Sequence, residues 1–337
     1  MRAESKVRGG LGFHRPPPGA TTPTRRLASS FFSSSSPVTS ARSVQGQNFE
    51  VERFSIGHLQ DLCRPKGDQL STDFIYREVF EGESCCYLRH GIDIGEGDIV
   101  VDVGANVGFF ALYCAERVGE SGAVLCYEPA PCSFQCLTTN VSPYSQITPY
   151  NVAISNCEGE AELTTYARAS GWNTLSPSPA SIQSDVSSFA GNLKDEQIFA
   201  GSRFLPSALK RKMGKILASM LTQSSEKTPC RANTLSKAIR LQGSPLIEEN
   251  PKADIALLKI DVERHEHEVL QGIAEEDWTR IKQIVAEVHD GFGQGLLDRF
   301  VTILKGHNYD VVVEQEPELI GSDLYNIFAK KKSTLGI

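Results

Sequence analysis

The chain has 337 residues, 40% of them hydrophobic, and a formal net charge of −7, which is enough apolar material for a full core. Residues 1–47 hold seven Lys/Arg and one acid, leaving a body with 27 basic and 40 acidic side chains. That balance argues against nucleic acid as a partner, since phosphate-backbone binding rests on clustered Lys/Arg, and the lack of a run of about eighteen apolar residues excludes a transmembrane helix.

Residues 1–47 are rich in Ser, Pro and Arg, with the run Arg25-Arg26-Leu27-Ala28-Ser29-Ser30-Phe31-Phe32-Ser33. That is the composition of an organelle transit peptide, mitochondrial or plastid, and the plainer alternative is a tail without an address on a cytoplasmic protein. Residues 48–95 read as an N-terminal segment in which Phe74–Phe80 and Tyr87–Ile92 pack across the main sheet. The main domain is expected over 96–331. It alternates strands near 99–103, 123–128 and 147–154 with helices near 107–118 and 131–140. It resumes with a strand at 255–261, a helix to about 273, a strand at 281–289, a helix to about 305, and strands at 309–314 and 324–330. Alternation of this kind predicts an α/β fold with a mostly parallel, Rossmann-like sheet of seven strands. The last two strands lack a crossover helix, so they should close the sheet with an antiparallel hairpin strand.

Between about 165 and 250 the alternation breaks, which marks an insertion or lid. Within it Leu205, Leu209, Met213, Ile216, Leu217 and Met220 fall on one helical face, with Lys210, Arg211, Lys212 and Lys215 elsewhere. A basic amphipathic helix over 205–221 either packs its apolar face on its own domain or lies on an anionic membrane surface, and packing on the domain is the expectation. The nine cysteines contain no C-x-x-C pair. Cys132 and Cys136 stand four apart without a second Cys/His pair, so the set reads as reduced core thiols and no metal is expected.

The stretch Ile99-Val100-Val101-Asp102-Val103-Gly104-Ala105-Asn106-Val107-Gly108 reads as a buried strand, a turn of small residues and a helix start. A dinucleotide G-x-G-x-x-G placed on Gly104 fails at Asn106 and Phe109. The turn still lets backbone approach a ligand, with Asp102 expected to hold an ammonium group; the plain reading is a strand-to-helix turn without a ligand. Glu128 ends the next strand, 26 residues on, where its carboxylate would accept both ribose hydroxyls of a nucleoside. Two such strand ends suggest S-adenosylmethionine, held by Asp102, Gly104, Ala105, Asn106, Gly108, Glu128 and Asp261. Asp261 and Glu263, at the end of Leu258-Lys259-Ile260-Asp261-Val262-Glu263, should face the donor and the acceptor, with Glu263 alternatively capping the following helix. His289 ends a further strand and is the candidate base for a hydroxyl acceptor, against a structural role for a strand-end histidine.

Taken together, these segments resemble the FkbM family of S-adenosylmethionine-dependent methyltransferases over about residues 74–331. The resemblance rests on Val101–Gly108, Glu128-Pro129, Asn151–Ile154, Gly171–Leu175 and Leu258–Glu263 leading to Glu268–Gly272. Tyr76–Phe80, Glu287–Asp290 and Leu324–Ile327 are similar to the branch embedded in polyketide and peptide synthetases. That likeness implies a class I methyltransferase fold and methylation, usually on oxygen, of a small-molecule or carrier-bound hydroxyl on a sugar or polyketide-like intermediate. Carbon or nitrogen methylation on the same fold, or a cofactor-binding assembly protein without turnover, are the alternatives. The chain departs from the family pattern at Arg264-His265 and in its long Ser-rich insertion.

Overall fold

The computed structural model describes residues 49–81, 85–192, 205–241, 252–291 and 293–332. The leader on which the transit-peptide reading falls lies outside them. Val51–Ile56 (β1) and Leu59–Pro65 (β2) form an antiparallel hairpin turned at Gly57, whose φ of +54° suits a residue without Cβ. The sequence reading placed no hairpin there. Helix α1 (Gln69–Phe80) follows and lays Tyr76 and Val79 into the core.

The main sheet comprises β3 (Ile99–Val103), β4 (Ala123–Tyr127), β5 (Ile147–Tyr150), β9 (Leu257–Ile260), β10 (Gln283–His289), β11 (Tyr309–Glu314) and β12 (Leu324–Lys331). Its strand order is β11-β12-β10-β9-β3-β4-β5, with β12 antiparallel to both of its neighbours and the other pairs parallel. This is the expected Rossmann-like, mostly parallel sheet of seven strands with an antiparallel C-terminal strand. Every residue of β3 and β4 is buried, as continuous apolar runs covered on both faces should be. Helices α2 (Phe109–Val118) and α3 (Pro131–Val141) cross between β3, β4 and β5. The chain turns one way out of β3 and β9 pairs on its other side, so the switch point lies between these two strands, where ligands of open α/β sheets bind.

The single strand expected over 147–154 divides in two. β5 stays in the main sheet, while Ala153–Ser155 (β6) joins Gly159–Tyr166 (β7) and Ser225–Thr234 (β8) in a second sheet of order β6-β8-β7. Asn151 fixes the break, its side-chain amide donating to the carbonyls of Glu128 and Pro129 at 2.9 and 3.1 Å. Among the described residues the insertion therefore carries, between β7 and β8, the two α-helices α4 (Pro179–Asn192) and α5 (Ser207–Thr222), and then strand β8 itself. Leu235–Leu241 (α6), Glu266–Gln271 (α7) and Leu296–Gly306 (α8) complete the described helices.

Helix α5 corrects an expectation. It meets α4 through a seam of Lys210, Gly214 and Ala218, all buried, and a Cβ on Gly214 would stand 2.7 Å from the Val186 carbonyl oxygen. The apolar stripe sits about 120° around the helix from that seam at ~100° per residue. Leu209, Ile216 and Met220 on it stay 43%, 50% and 65% exposed. All nine cysteines are free thiols, with Cys63 and Cys136 in sulfur contact at 3.4 Å.

Gly104, just past β3, has φ +85°, and a Cβ there would lie 1.7 Å from the Asp261 carbonyl oxygen. Gly104→Ala must therefore pry β3 from β9 and hold a left-handed alanine. We expect a loss of at least about 2 kcal/mol, read as a lower urea midpoint at unchanged slope. An unchanged midpoint would show that the two strand ends can separate freely.

Candidate active site

A cavity of about 1160 Å³ opens beyond the carboxyl ends of β3, β4, β9 and β10. Sites for a small ligand run to roughly 1,000 Å³, so this one has room for two partners side by side. Gly104, Ala105, Asn106 and Glu128 line one part, and Asp261, Glu263 and His289 line another. Asp102 and Gly108 do not face it. Asp102 is 0% exposed, with Lys259 Nζ 3.2 Å from its carboxylate, so the expected contact with a ligand ammonium group is not its geometry. Gly108, at φ +96°, serves packing, since a Cβ would meet Leu137 at 2.8 Å.

Glu128 is placed by the turn it faces. Its two oxygens accept the backbone N–H groups of Asn106 at 2.9 Å and Ala130 at 2.8 Å. Burial raises its pKa to about 7 against those two hydrogen bonds, which favour the ionised form. Each carboxylate oxygen accepts more than one hydrogen bond, so lone pairs remain for hydroxyl donors from the cavity. The side chain of Asn106 is held by Ser170 Oγ at 3.1 Å, which links the turn to the Ser170–Trp172 stretch ahead of the insertion.

Lys259 sits behind the glycine turn and had no role assigned from sequence. Its ammonium donates to the Gly104 carbonyl at 2.9 Å and pairs with Asp102 and with Asp261 at 3.3 Å. Burial by itself lowers an ammonium pKa, but the two carboxylates outweigh it and hold Lys259 charged. Neither oxygen of Asp102 makes a directed hydrogen bond, so this is a charge contact inside the sheet. Asp261 also accepts the hydroxyl of Tyr87 at 2.8 Å. Glu78 of α1 and Glu287 of β10 line the same region, and burial raises the first to about 8 and the second well above the carboxylate range.

His289 ends β10 with its ring 5% exposed, and its Nδ1 lies 3.3 Å from Glu266 Oε1. Nε2 lies 3.7 Å from Glu263. Burial lowers the imidazole pKa, but the Glu266 hydrogen bond and charge outweigh it, so the net shift is upward. Glu263 does not cap a helix: it has φ +53°, α7 starts only at Glu266, and Glu266 itself accepts the Arg264 backbone N–H at 2.7 Å. Burial raises Glu263 to about 7. Arg264, also left-handed at φ +74°, reaches α4, where it pairs with Asp185 at 2.6 Å and Ser181 Oγ at 3.0 Å. Asp185, His289 and Asp323 bring donor atoms within 4.8 Å of one another, as metal ligands do, and the guanidinium on Asp185 already supplies a cation to that group.

Residues 102–311 match the family described as Methyltransferase FkbM domain. The chain is 33% identical over 264 residues to 31-O-demethyl-FK506 methyltransferase FkbM of Streptomyces tacrolimicus, covering 77% of this chain and 90% of that protein. It is 31% identical over 262 residues to the AMB antimetabolite synthetase AmbE of Pseudomonas aeruginosa, covering 77% of this chain and 12% of that one. Among solved structures, a methyltransferase FkbM from Methylobacillus flagellatus KT aligns at a TM-score of 0.41 and 13% identity, over 72% of this chain and 46% of that one.

Proposed function

We propose that this chain, which belongs to the FkbM family of methyltransferases and is S-adenosylmethionine-dependent, transfers its methyl group to the oxygen of a small-molecule or carrier-bound hydroxyl. The cavity fits the cofactor: Glu128 offers free lone pairs beside the backbone of Gly104–Asn106, and the carboxylates of Asp261, shared with Lys259, and Glu263, shared with Arg264 at 3.2 Å, line the same space where an ammonium and a sulfonium would lie. When bound there, the cofactor supplies a methyl group already activated on a sulfonium. The protein's part is to bind, align and shield.

The observation that carries the oxygen reading is His289, which lines the same cavity and is oriented by Glu266 through Nδ1. Its Nε2 is then the atom that takes the proton from a hydroxyl, and Glu266 and Glu263 stabilise the imidazolium that results. Asp261 is held by Tyr87 and Lys259, which suits positioning more than proton transfer. Alignment of donor and acceptor in a site closed to water supplies the larger part of the rate.

The test is a pH–rate profile for methyl transfer to hydroxyl acceptors. Because its imidazolium is stabilised, His289 becomes a free base only above the ordinary imidazole range, so activity should rise with pH through a limb lying above about 6.5. Glu266→Gln removes the largest stabiliser and should move the limb to lower pH, while His289→Ala should abolish it and cost about 10²–10⁴ in rate. A profile that neither change moves, or a product methylated at carbon or nitrogen, would rule out this assignment.

A further inference from the structure

The cavity has two chemically different ends. Its floor is polar and acidic: Glu78, Asp261, Glu287 and Glu316 line it, with Lys259 already paired to Asp102 and Asp261, and Arg89 to Glu316 at 2.5 Å. Toward solvent the walls turn apolar. Phe74 of α1 meets Phe189 of α4 edge to face, with ring centroids 5.5 Å apart, and Met213, Ile216, Leu217 and Met220 of α5 line the same cavity. This is the stripe that α5 withholds from its seam with α4.

We propose that the acceptor is an amphiphile, with an uncharged hydroxyl-bearing head on the acidic floor and a long apolar body along the α1, α4 and α5 walls. The proposal rests on the methyltransferase reading and narrows its substrate class. An anionic head is disfavoured at the floor because Lys259 and Arg89 there are already paired with carboxylates, and of the other arginines that line the cavity Arg264 is paired with Asp185 and Glu263, while Arg77 and Arg168 lie at its exposed rim. Burial raises Glu78 to about 8, so at neutral pH it can donate to a neutral hydroxyl as well as accept from one, and burial shifts Glu287 beside it in the same direction. A sugar is disfavoured by the walls, where each hydroxyl left without a partner costs about 1–3 kcal/mol. An alkyl body instead covers Phe74, Ile216 and Met220, which are otherwise 42%, 50% and 65% exposed. The occupant is tied to the reaction because wall, floor and cofactor slot belong to one cavity.

The experiment uses the full chain saturated with S-adenosylhomocysteine, whose binding is measured first. The neutral dye N-phenyl-1-naphthylamine is then displaced by linear 1,2-alkanediols of about four to ten carbons. Each added methylene should lower the displacing concentration about threefold to fourfold, as burial of one CH₂ does. The double variant Ile216→Asn, Met220→Glu should flatten that dependence and leave S-adenosylhomocysteine affinity unchanged. Both positions are at least half exposed, so the change opens no core. A flat chain-length dependence in the wild type that binds S-adenosylhomocysteine normally overturns the amphiphile and leaves the methyltransferase reading standing. Two other results also overturn it: dye sites that depend on self-association, or sedimentation with phosphatidylglycerol vesicles that the variant abolishes while diols do nothing. The first would assign the stripe to a second copy, and the second to a membrane, with Lys212 and Lys215 on its flank as the attraction. Failure to bind S-adenosylhomocysteine at all would sink both readings together.

Discussion

Replacing Glu128 by alanine is expected to weaken S-adenosylmethionine and S-adenosylhomocysteine binding by about 1–3 kcal/mol for each charged hydrogen bond lost, or roughly 5–150-fold per bond. The carboxylate has two tasks. It closes the glycine turn by accepting the N–H groups of Asn106 and Ala130, and it presents its remaining lone pairs to the cavity. Alanine leaves both N–H groups without that acceptor, so some loss of folding stability accompanies the loss of affinity. Glu128→Gln separates the tasks, since it keeps one carbonyl acceptor and removes the charge. The raised pKa adds a second signature. Burial places Glu128 near 7, above the ordinary carboxylate value, so its ionised form costs folding stability, and that cost grows as pH rises from the unfolded value through 7. Hydroxyl donors favour the ionised form, so cofactor binding should strengthen from pH 6 to 8 and release a proton. Calorimetry in buffers of different ionisation enthalpy reads that proton directly, and Glu128→Gln should remove it. Wild-type affinity in the alanine variant would mean that the ribose, if bound, is held elsewhere.

The cavity and the side chains behind it come from layers of different sequence visibility. The strand ends at Asp102, Glu128, Asp261 and His289 were legible because parallel strands buried on both faces read as apolar runs, and a polar residue at their carboxyl ends stands out against them. Lys259 had no role assigned from sequence, although a lysine inside the fully buried strand Leu257-Leu258-Lys259-Ile260 must find an acid. Which acid it finds depends on register: β3 pairs with β9 so that Asp102 stands opposite Lys259. Register between strands more than 150 residues apart leaves no local trace, and Asp102 was accordingly expected to face the ligand.

The segments holding Glu78 and Tyr87 were expected to pack across the sheet, but the place of these two side chains at the cavity was not legible, for a related reason. They come from the N-terminal segment, whose helix and following turn reach over the sheet ends, and nothing within that segment reports an acid 174 residues away that accepts the Tyr87 hydroxyl. The orientation of α5 was misread through a local rule applied too simply. The widest apolar stripe was expected to face the domain, but Gly214 and Ala218 let the backbones of α4 and α5 approach closely, and close approach decided the seam. A glycine and an alanine four residues apart on a helix were the available signal.

Lys259→Met is expected to be the most destabilising single change to the site, at about 3–5 kcal/mol, because it strands charge where none can be solvated. The side chains of Lys259 and Asp102 are 4% and 0% exposed, and Asp261 shares the same ammonium. Removing the amine leaves Asp102 as a carboxylate with neither a hydrogen bond nor a counter-charge, and it also orphans the Gly104 carbonyl that Lys259 caps. The pH dependence follows from sign. Burial already raises Asp102, with Lys259 pulling against it, so the variant's Asp102 must rise further. A carboxyl whose folded pKa exceeds its unfolded value costs nothing below the unfolded pKa and costs more as pH climbs through the folded one. The gap in stability between wild type and variant should therefore widen from acid to neutral pH in urea titrations. Asp102→Asn in the Lys259→Met background should restore part of the loss, because a neutral amide needs no counter-ion. A gap that is flat with pH, or a double variant no more stable than the single one, would show that Lys259 stabilises the strands by packing alone.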